Sequence, residues 1–176
     1  NDAILVKRLS PERNPLIDVA RAVPSGPTIS VADGKKAQNR TYQDLLQDKN
    51  DEHNFEQLVL SEIIKIKLDG SMDMWLMSDM YADISVSPDG HFVMVNTIQK
   101  PFSYLVPYYR FPSKTTIYDH HGEAVETVLE VPLIEDLPQG FMAVREGRRS
   151  LGWRADRPGS LVFTMALDGG DPENET

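Results

Sequence analysis

Apolar and polar residues alternate with a period of two in several short stretches of the chain. Ile64, Ile66 and Leu68 alternate with lysines, which is the pattern of a strand with one buried face. The apolar run Ala3–Val6 lies between charged residues and predicts a buried strand. The same two patterns predict further strands at 84–86, 92–95, 115–118, 125–129, 151–153 and 161–165. Together they predict an all-β chain.

Turn residues separate these strands in a regular way. The turns are Asp69-Gly70, Ser87–Gly90, His120–Gly122 and Ala155–Gly159. Proline presets the backbone angle of a turn, and glycine accepts the positive φ that other residues resist. Two hairpin types recur in order, one with Pro, Asp and Gly in the turn and one that ends in Asp-Gly or His-Gly. An ordered repeat of hairpins is typical of β-propeller blades, and an ordinary β-sandwich is the alternative.

We therefore expect a partial β-propeller of about two blades, with one short helix in a long insertion. Residues 1–70 would be the end of one blade with the long insertion. Residues 71–140 would form one blade with a second insertion at 100–112, and residues 141–176 the start of the next blade. An incomplete propeller leaves unpaired strand edges, and we expect homodimerisation through them.

The long insertion itself has three parts. Ser10–Gln38 is rich in Pro and Gly, which interrupt regular ladders, and it predicts an irregular excursion. Thr41–Asp48 starts with a capping residue and has apolar residues at helical spacing, so it predicts the short helix. Lys49–Asn54 is charged and predicts a surface turn, whereas Phe55–Leu60 fits either a helix or a strand.

Composition narrows the function by exclusion. The chain has 18 Lys and Arg against 27 Asp and Glu, a formal charge of −9, which repels phosphate backbones and argues against nucleic-acid binding. No apolar run approaches the roughly 20 residues that span a bilayer, so we expect no membrane segment. The absence of cysteine excludes disulfides, thiolate nucleophiles and cysteine-based zinc sites. The chain begins with Asn1-Asp2, and we expect it to be part of a longer protein.

Seven short motifs follow one another from about Val23 to Asp171. They are Val23–Pro27, Thr41–Leu46, Pro101–Pro107, Arg110–Pro112, Val144–Ser150, Trp153–Asp156 and Ala166–Asp171. In this order the chain resembles a fragment of the propeller domain of prolyl-oligopeptidase-family serine peptidases, of the glutamyl endopeptidase type. The set is more specific than any one motif, because it includes segments outside the repeated hairpins.

The resemblance implies an N-terminal propeller followed by an α/β-hydrolase domain, whose nucleophile lies on a Gly-x-Ser-x-Gly elbow. This chain has no such motif, because neither Gly70-Ser71 nor Gly159-Ser160 fits it. We therefore expect no catalytic residue in the chain and a non-catalytic role in which it caps or gates the active site of a serine peptidase. A stand-alone propeller-like scaffold for protein–protein binding is the alternative.

The resemblance also implies partners and a compartment. The partners would be the C-terminal α/β-hydrolase domain and a peptide substrate that is cleaved after glutamate. A bacterial protein of this kind would be periplasmic or secreted, and a plant protein would be plastidic. We expect no cofactor.

Four residues are candidates for contact with substrate. Tyr108, Tyr109 and Arg110 lie in the aromatic insertion, where an arginine beside tyrosines could receive a peptide carboxylate through a bidentate fork. Arg148 belongs to a local basic cluster that could attract an anionic substrate. Packing within the fold is the alternative for all four residues.

Two further clusters have chemistry to weigh. Asp119, His120, His121 and Glu123 could bind a metal, but adjacent histidines on a strand point to opposite faces, so we expect a polar hairpin turn and no metal site. Four methionines occur in one short stretch around a tryptophan, and we expect them to pack in the core or between blades. They are Met72, Met74, Met77 and Met80, around Trp75.

Overall fold

The computed structural model describes residues 3–18, 42–138, 140 and 142–174. Within these ranges the chain forms nine strands, one α-helix and one 3-10 turn. The strands are β1 (Ala3–Leu9), β2 (Ser61–Lys67), β3 (Met72–Asp79), β4 (Tyr81–Val86), β5 (Phe92–Ile98), β6 (Ser113–Asp119), β7 (Ala124–Val131), β8 (Arg149–Trp153) and β9 (Leu161–Thr164). The α-helix is α1 (Lys49–Val59), and the 3-10 turn is Tyr108–Arg110. The predicted all-β class is confirmed.

The strands form three open antiparallel sheets in the described part of the chain. The first sheet has the order β1-β2-β3, the second β4-β5-β6-β7 and the third β8-β9. All the strands that alternation and apolar runs predicted are present. β3 was not predicted, because its apolar residues do not alternate. Register shifts near Ile63 interrupt its pairing with β2, so that one period of two does not extend along the strand.

The α-helix does not lie where the sequence placed it. Residues 42–48 of the predicted Thr41–Asp48 helix are not helical, and Thr41 itself lies outside the described residues. Asp44 has a positive φ of 57°, which a continuing α-helix does not accommodate. The helix instead includes the charged stretch that was predicted to be a surface turn. That prediction was wrong.

The helix begins at Lys49 because the residue before it is a strong N-cap. The carboxylate of Asp48 accepts hydrogen bonds from the backbone N–H groups of Asn50 and Asp51. Asp51 and Glu52 then place negative charge in the first turn, where the helix dipole favours it. Of the predicted excursion, residues 10–18 form no helix or strand. The remainder, with the motif Val23–Pro27, lies outside the described residues.

The first and second sheets pack face to face around one buried cluster. Its members are Ile63, Trp75, Tyr81, Val93 and Val95, of which Ile63 is 0% exposed. The ring of Trp75 meets the ring of Tyr118 nearly edge-on, with centroids 5.8 Å apart. The third sheet contacts the second through Trp153, whose indole N–H donates to the carbonyl of Ser85 at 3.1 Å.

The first sheet leaves its other face exposed. The register aligns Ile4, Ile66 and Met72 across its three strands, and both Ile4 and Met72 are exposed. β1 is therefore not the buried strand that the sequence predicted. Met74 and Met77 are exposed as well, so only Met80 of the four methionines is in a core. A run of apolar residues cannot show whether a neighbouring sheet covers it.

Long connections and short turns lie at opposite ends of the sheets. Antiparallel strands reverse direction at every connection, so alternate connections share an end. At one end Met80, the single residue between β3 and β4, accepts a hydrogen bond from the N–H of Ile98 at 2.9 Å. The connections 10–60, 99–112 and 132–148 leave the strands at this same end. We call the part formed by α1, residues 99–112 and residues 132–136 the insertion layer.

Candidate functional site

The insertion layer has its own aromatic core. The ring of Phe111 stacks on Phe102 at 5.2 Å and meets Phe55 of α1 edge-on at 5.6 Å. Phe55 and Phe102 also meet edge-on at 5.1 Å. Met80 and Ile98 bury their side chains against this cluster from the strand ends. The layer is thus built from two insertions that are far apart in sequence, and it covers one end of the sheets.

Polar contacts fix α1 to the same connection. The hydroxyl of Tyr104 donates to Glu52 at 2.7 Å, and Lys100 pairs with Glu56 at 2.8 Å. Within the helix, Lys49 pairs with Glu52 at 2.9 Å. Burial raises the pKa of Glu52, but the hydrogen bond from Tyr104 and the charge of Lys49 outweigh it, so the pKa lies below its ordinary value of 4.5.

Acid should therefore weaken the insertion layer. Because folding lowers the pKa of Glu52, its contribution to stability is present above pH 4.5 and is lost as the pH falls through the folded-state value. We expect Glu52→Gln to lower the melting temperature at pH 7 and to match the wild type near about pH 3. Circular dichroism between these pH values measures it. Glu126→Gln, at an exposed position of β7, is the control, and parallel curves for Glu52→Gln and the wild type would contradict the prediction.

A cleft of about 400 Å³ opens where the first sheet, the second sheet and the insertion layer meet. Its walls are the end of β1, the start of β4 and the last turns of α1, with the 3-10 turn beside them. Its lining includes Lys7, Arg8, Leu9, Phe55, Leu58 and Tyr108. Concave sites at the meeting of structural units are the usual places for ligands.

The lining of the cleft combines exposed apolar groups with positive charge. Leu9, Leu58 and Tyr108 are all more than half exposed. The lining has two cations and no carboxylate, although the whole chain has a formal charge of −9. The ammonium of Lys7 donates to the carbonyl of Tyr81 at 3.1 Å, and Arg8 forms an ion pair with the buried Glu62. The cleft is thus a locally basic site on an acidic chain.

The predicted substrate residues have different environments. Tyr108 lines the cleft, and Tyr109 beside it is exposed, with ring centroids 5.9 Å apart. Arg110 is only 6% exposed, and its guanidinium lies 5.2 Å from the ring centre of Tyr42. Arg148 precedes the third sheet, with its guanidinium 4.9 Å from the ring centre of Phe163. One turn therefore brings Tyr108, Tyr109 and Arg110 together, and Arg148 belongs to another sheet.

Sequence reasoning missed the other cleft residues. Lys7 and Arg8 were visible only as adjacent cations after a short apolar run, a pattern that usually marks the end of a strand. Leu58 belonged to a segment that fitted either a helix or a strand. The only available signal was the pair of cations on a chain with an excess of acids.

The histidine pair lies in the turn between β6 and β7, not on a strand. The rings of His120 and His121 are 3.8 Å apart, so the expectation that they point to opposite faces was wrong. The carboxylate of Asp119 accepts from the backbone N–H groups of Glu123 and His121, which lowers the pKa of Asp119. Among the residues that the structure describes, no group of three His, Asp or Glu side chains could hold a metal ion. Nor does any described helix have the length and apolar character to cross a membrane.

The fold and site define an all-β protein of open antiparallel sheets, with a helix-bearing layer at one end and a basic, apolar cleft beneath it. The chain is 37% identical over 155 residues to a protein of Oryza sativa subsp. japonica named "Probable glutamyl endopeptidase, chloroplastic". It is 34% identical over 181 aligned positions to a protein of the same name from Arabidopsis thaliana. These matches cover 88% and 99% of this chain.

The chain spans only 16–18% of the length of these two relatives. It is therefore similar to one segment of proteins that are named as peptidases, which confirms the resemblance to glutamyl endopeptidases at that level. No family model matches the chain. No solved structure matches it either.

Proposed function

We propose that this chain is a non-catalytic β-propeller segment of a serine peptidase similar to glutamyl endopeptidases, in the prolyl-oligopeptidase family, and that it caps or gates the active site. The similarity of nearly the whole chain to a small segment of two proteins named glutamyl endopeptidases carries this proposal. The absence of a Gly-x-Ser-x-Gly motif is consistent with a part that lacks the nucleophile.

The strand order supports propeller blades. The second sheet is a four-stranded meander, which is the form of one blade. The turns at Gly70 and Gly122 each precede the last strand of their sheet, and the connections 10–60 and 99–112 each precede the strand before it. The two sheets therefore repeat one plan. In this proposal the first blade ends at Met80, because β3 pairs with β2.

The insertion layer is the part that we assign to the gate. It lies at one end of the sheets, and Tyr108 and Tyr109 are exposed on it. We assign the catalytic α/β-hydrolase domain and the peptide substrate as the partners of this end. Arg110 would support the turn from beneath, because its side chain is buried against Tyr42. Arg148, which is exposed, would contribute positive charge near the third sheet.

The first test compares cleavage of a fluorogenic peptide with a single glutamate by the complete gene product and by the 176-residue chain alone. We expect the complete product to cleave after the glutamate and the chain alone to be inert. A complete product that does not cleave after glutamate would overturn the peptidase proposal.

The gate has its own test in the complete product. Tyr104→Phe combined with Lys100→Ala removes two contacts between α1 and residues 99–112, and should raise cleavage of folded proteins relative to short peptides about threefold or more. Lys114→Ala, which breaks the ion pair of Lys114 with Glu130 on the second sheet, is the control. An unchanged ratio for the double variant would refute gating.

A second candidate function is a scaffold that binds protein partners. The exposed apolar face of the first sheet, with Ile4, Met72 and Met74, favours it. The unpaired outer strands could also join two copies of the chain edge to edge. Sedimentation over a wide concentration range tests that association, and a monomer throughout would exclude it.

A further inference from the structure

We propose that the cleft beside β1 binds an extended peptide that carries a carboxylate side chain next to an apolar side chain. The proposal deepens the proposed function, because it rests on a peptide being the natural partner and assigns to this chain a class of peptide. Three independent features of the cleft support it: the strand edge, the apolar wall and the charge.

The strand edge lies along one side of the cleft. Among the described residues, β1 has a strand neighbour on one side only, and its last residues, Lys7, Arg8 and Leu9, line the cleft. The outer edge of a strand presents backbone N–H and C=O groups that an extended peptide can pair with. Such pairing is largely independent of side-chain sequence, so the walls of the cleft must supply the selectivity.

The apolar wall lies across the cleft from that edge. Leu58 and Phe55 project from the last turns of α1, and Tyr108 projects from the 3-10 turn beside them. Leu58 is 56% exposed and Tyr108 57%, which is high for large apolar groups that share one concave surface. Burying them against a leucine-sized side chain would remove this apolar area from water.

The charge selects an acidic peptide. The ammonium of Lys7 has three hydrogens to donate and gives one to the carbonyl of Tyr81. Arg8 is paired with Glu62, but half of its side chain is exposed. Because no carboxylate lines the cleft, a glutamate or aspartate side chain would supply the opposite charge there.

Fluorescence anisotropy with a labelled eight-residue peptide tests the proposal. The peptide has one central Leu-Glu pair among Ser, Thr and Ala residues, and we expect a dissociation constant on the order of 100 µM. Exchanging its Glu for Lys should weaken binding about tenfold, and so should N-methylation of alternate backbone amides. If binding of the parent peptide is undetectable at 1 mM (about tenfold above the expected constant), the proposal is wrong.

Two matched pairs of protein variants locate the site. Lys7→Glu should weaken binding about tenfold, whereas Lys65→Glu should not. Lys65 also lies in the first sheet and also donates to a backbone carbonyl of the second, that of His120 at 3.2 Å. Leu58→Ser should weaken binding about threefold. Leu105→Ser should have no effect, since Leu105 is 59% exposed but outside the cleft lining.

Equal effects within either pair would overturn the proposal. So would self-association that Lys7→Glu abolishes while the peptide fails to bind, because a second copy would then be the occupant. These outcomes are separate from the proposed function. A peptidase segment whose cleft binds no peptide would still leave the complete gene product cleaving after glutamate.

Discussion

Replacing Trp75 by alanine is expected to lower the free energy of unfolding by about 4 kcal/mol. The side chain is 7% exposed and packs in the buried cluster between the first and second sheets. Its truncation removes a large apolar contact area and leaves a cavity that the rigid strands around Val95 cannot fill. The edge-on contact with Tyr118 is lost as well.

Urea unfolding followed by far-UV circular dichroism measures this loss, because the signal does not depend on the tryptophan that is removed. Trp153→Ala is the matched control. Trp153 is only half-buried and its indole makes one hydrogen bond, to Ser85, so we expect a loss of about 1 kcal/mol. Should Trp75→Ala be unfolded without urea, Trp75→Phe keeps most of the ring and should lose about 1.5 kcal/mol. Similar losses for Trp75→Ala and Trp153→Ala would contradict the packing described here.

Gly122→Ala is expected to lower the free energy of unfolding by about 3 kcal/mol. Gly122 has a φ of +89°, which costs any other residue about 1 kcal/mol. A Cβ atom at this position would also lie 2.6 Å from the backbone carbonyl oxygen of Trp75. Because that oxygen belongs to β3, the hairpin between β6 and β7 would have to move away from the first sheet.

Gly70→Ala separates these two causes. Gly70 ends the equivalent hairpin of the first sheet and has a φ of +84°, but a Cβ atom there would meet nothing within 4 Å. We expect this variant to lose only about 1 kcal/mol, the cost of the backbone conformation. Thermal unfolding of both variants measures the difference. If the two glycines tolerate alanine equally well, the close approach of the second hairpin to Trp75 is not a constraint on folding.

The glycine pair also shows how far a sequence repeat can be read. Both turns were predicted from their residues, because a positive φ is a local requirement that glycine meets at low cost. Nothing in the sequence distinguishes Gly122, which lies against Trp75, from Gly70, which lies in open space. The difference arises from the packing of one sheet on the other.

The helix shows a different limit. The local signals near Thr41 and near Asp48 were both compatible with a helix start, and charge alone made Lys49–Asn54 look like a turn. In the structure Phe55 of this helix packs against Phe102 and Phe111. Tertiary packing of an apolar side chain stabilises the helix more than propensity does. A segment of this length could not be assigned without knowing its partner.

By itself, the sequence determined the strands, the hairpin turns, the acidic charge and the resemblance to glutamyl endopeptidases. These features depend on neighbouring residues, on totals or on ordered motifs, so they are visible along the chain. Only the tertiary structure decided which strands share a sheet, that Arg110 is buried, and that a basic cleft exists. The cleft joins Lys7, Leu58 and Tyr108, which are far apart in sequence, and exposure depends on which distant residues cover a side chain.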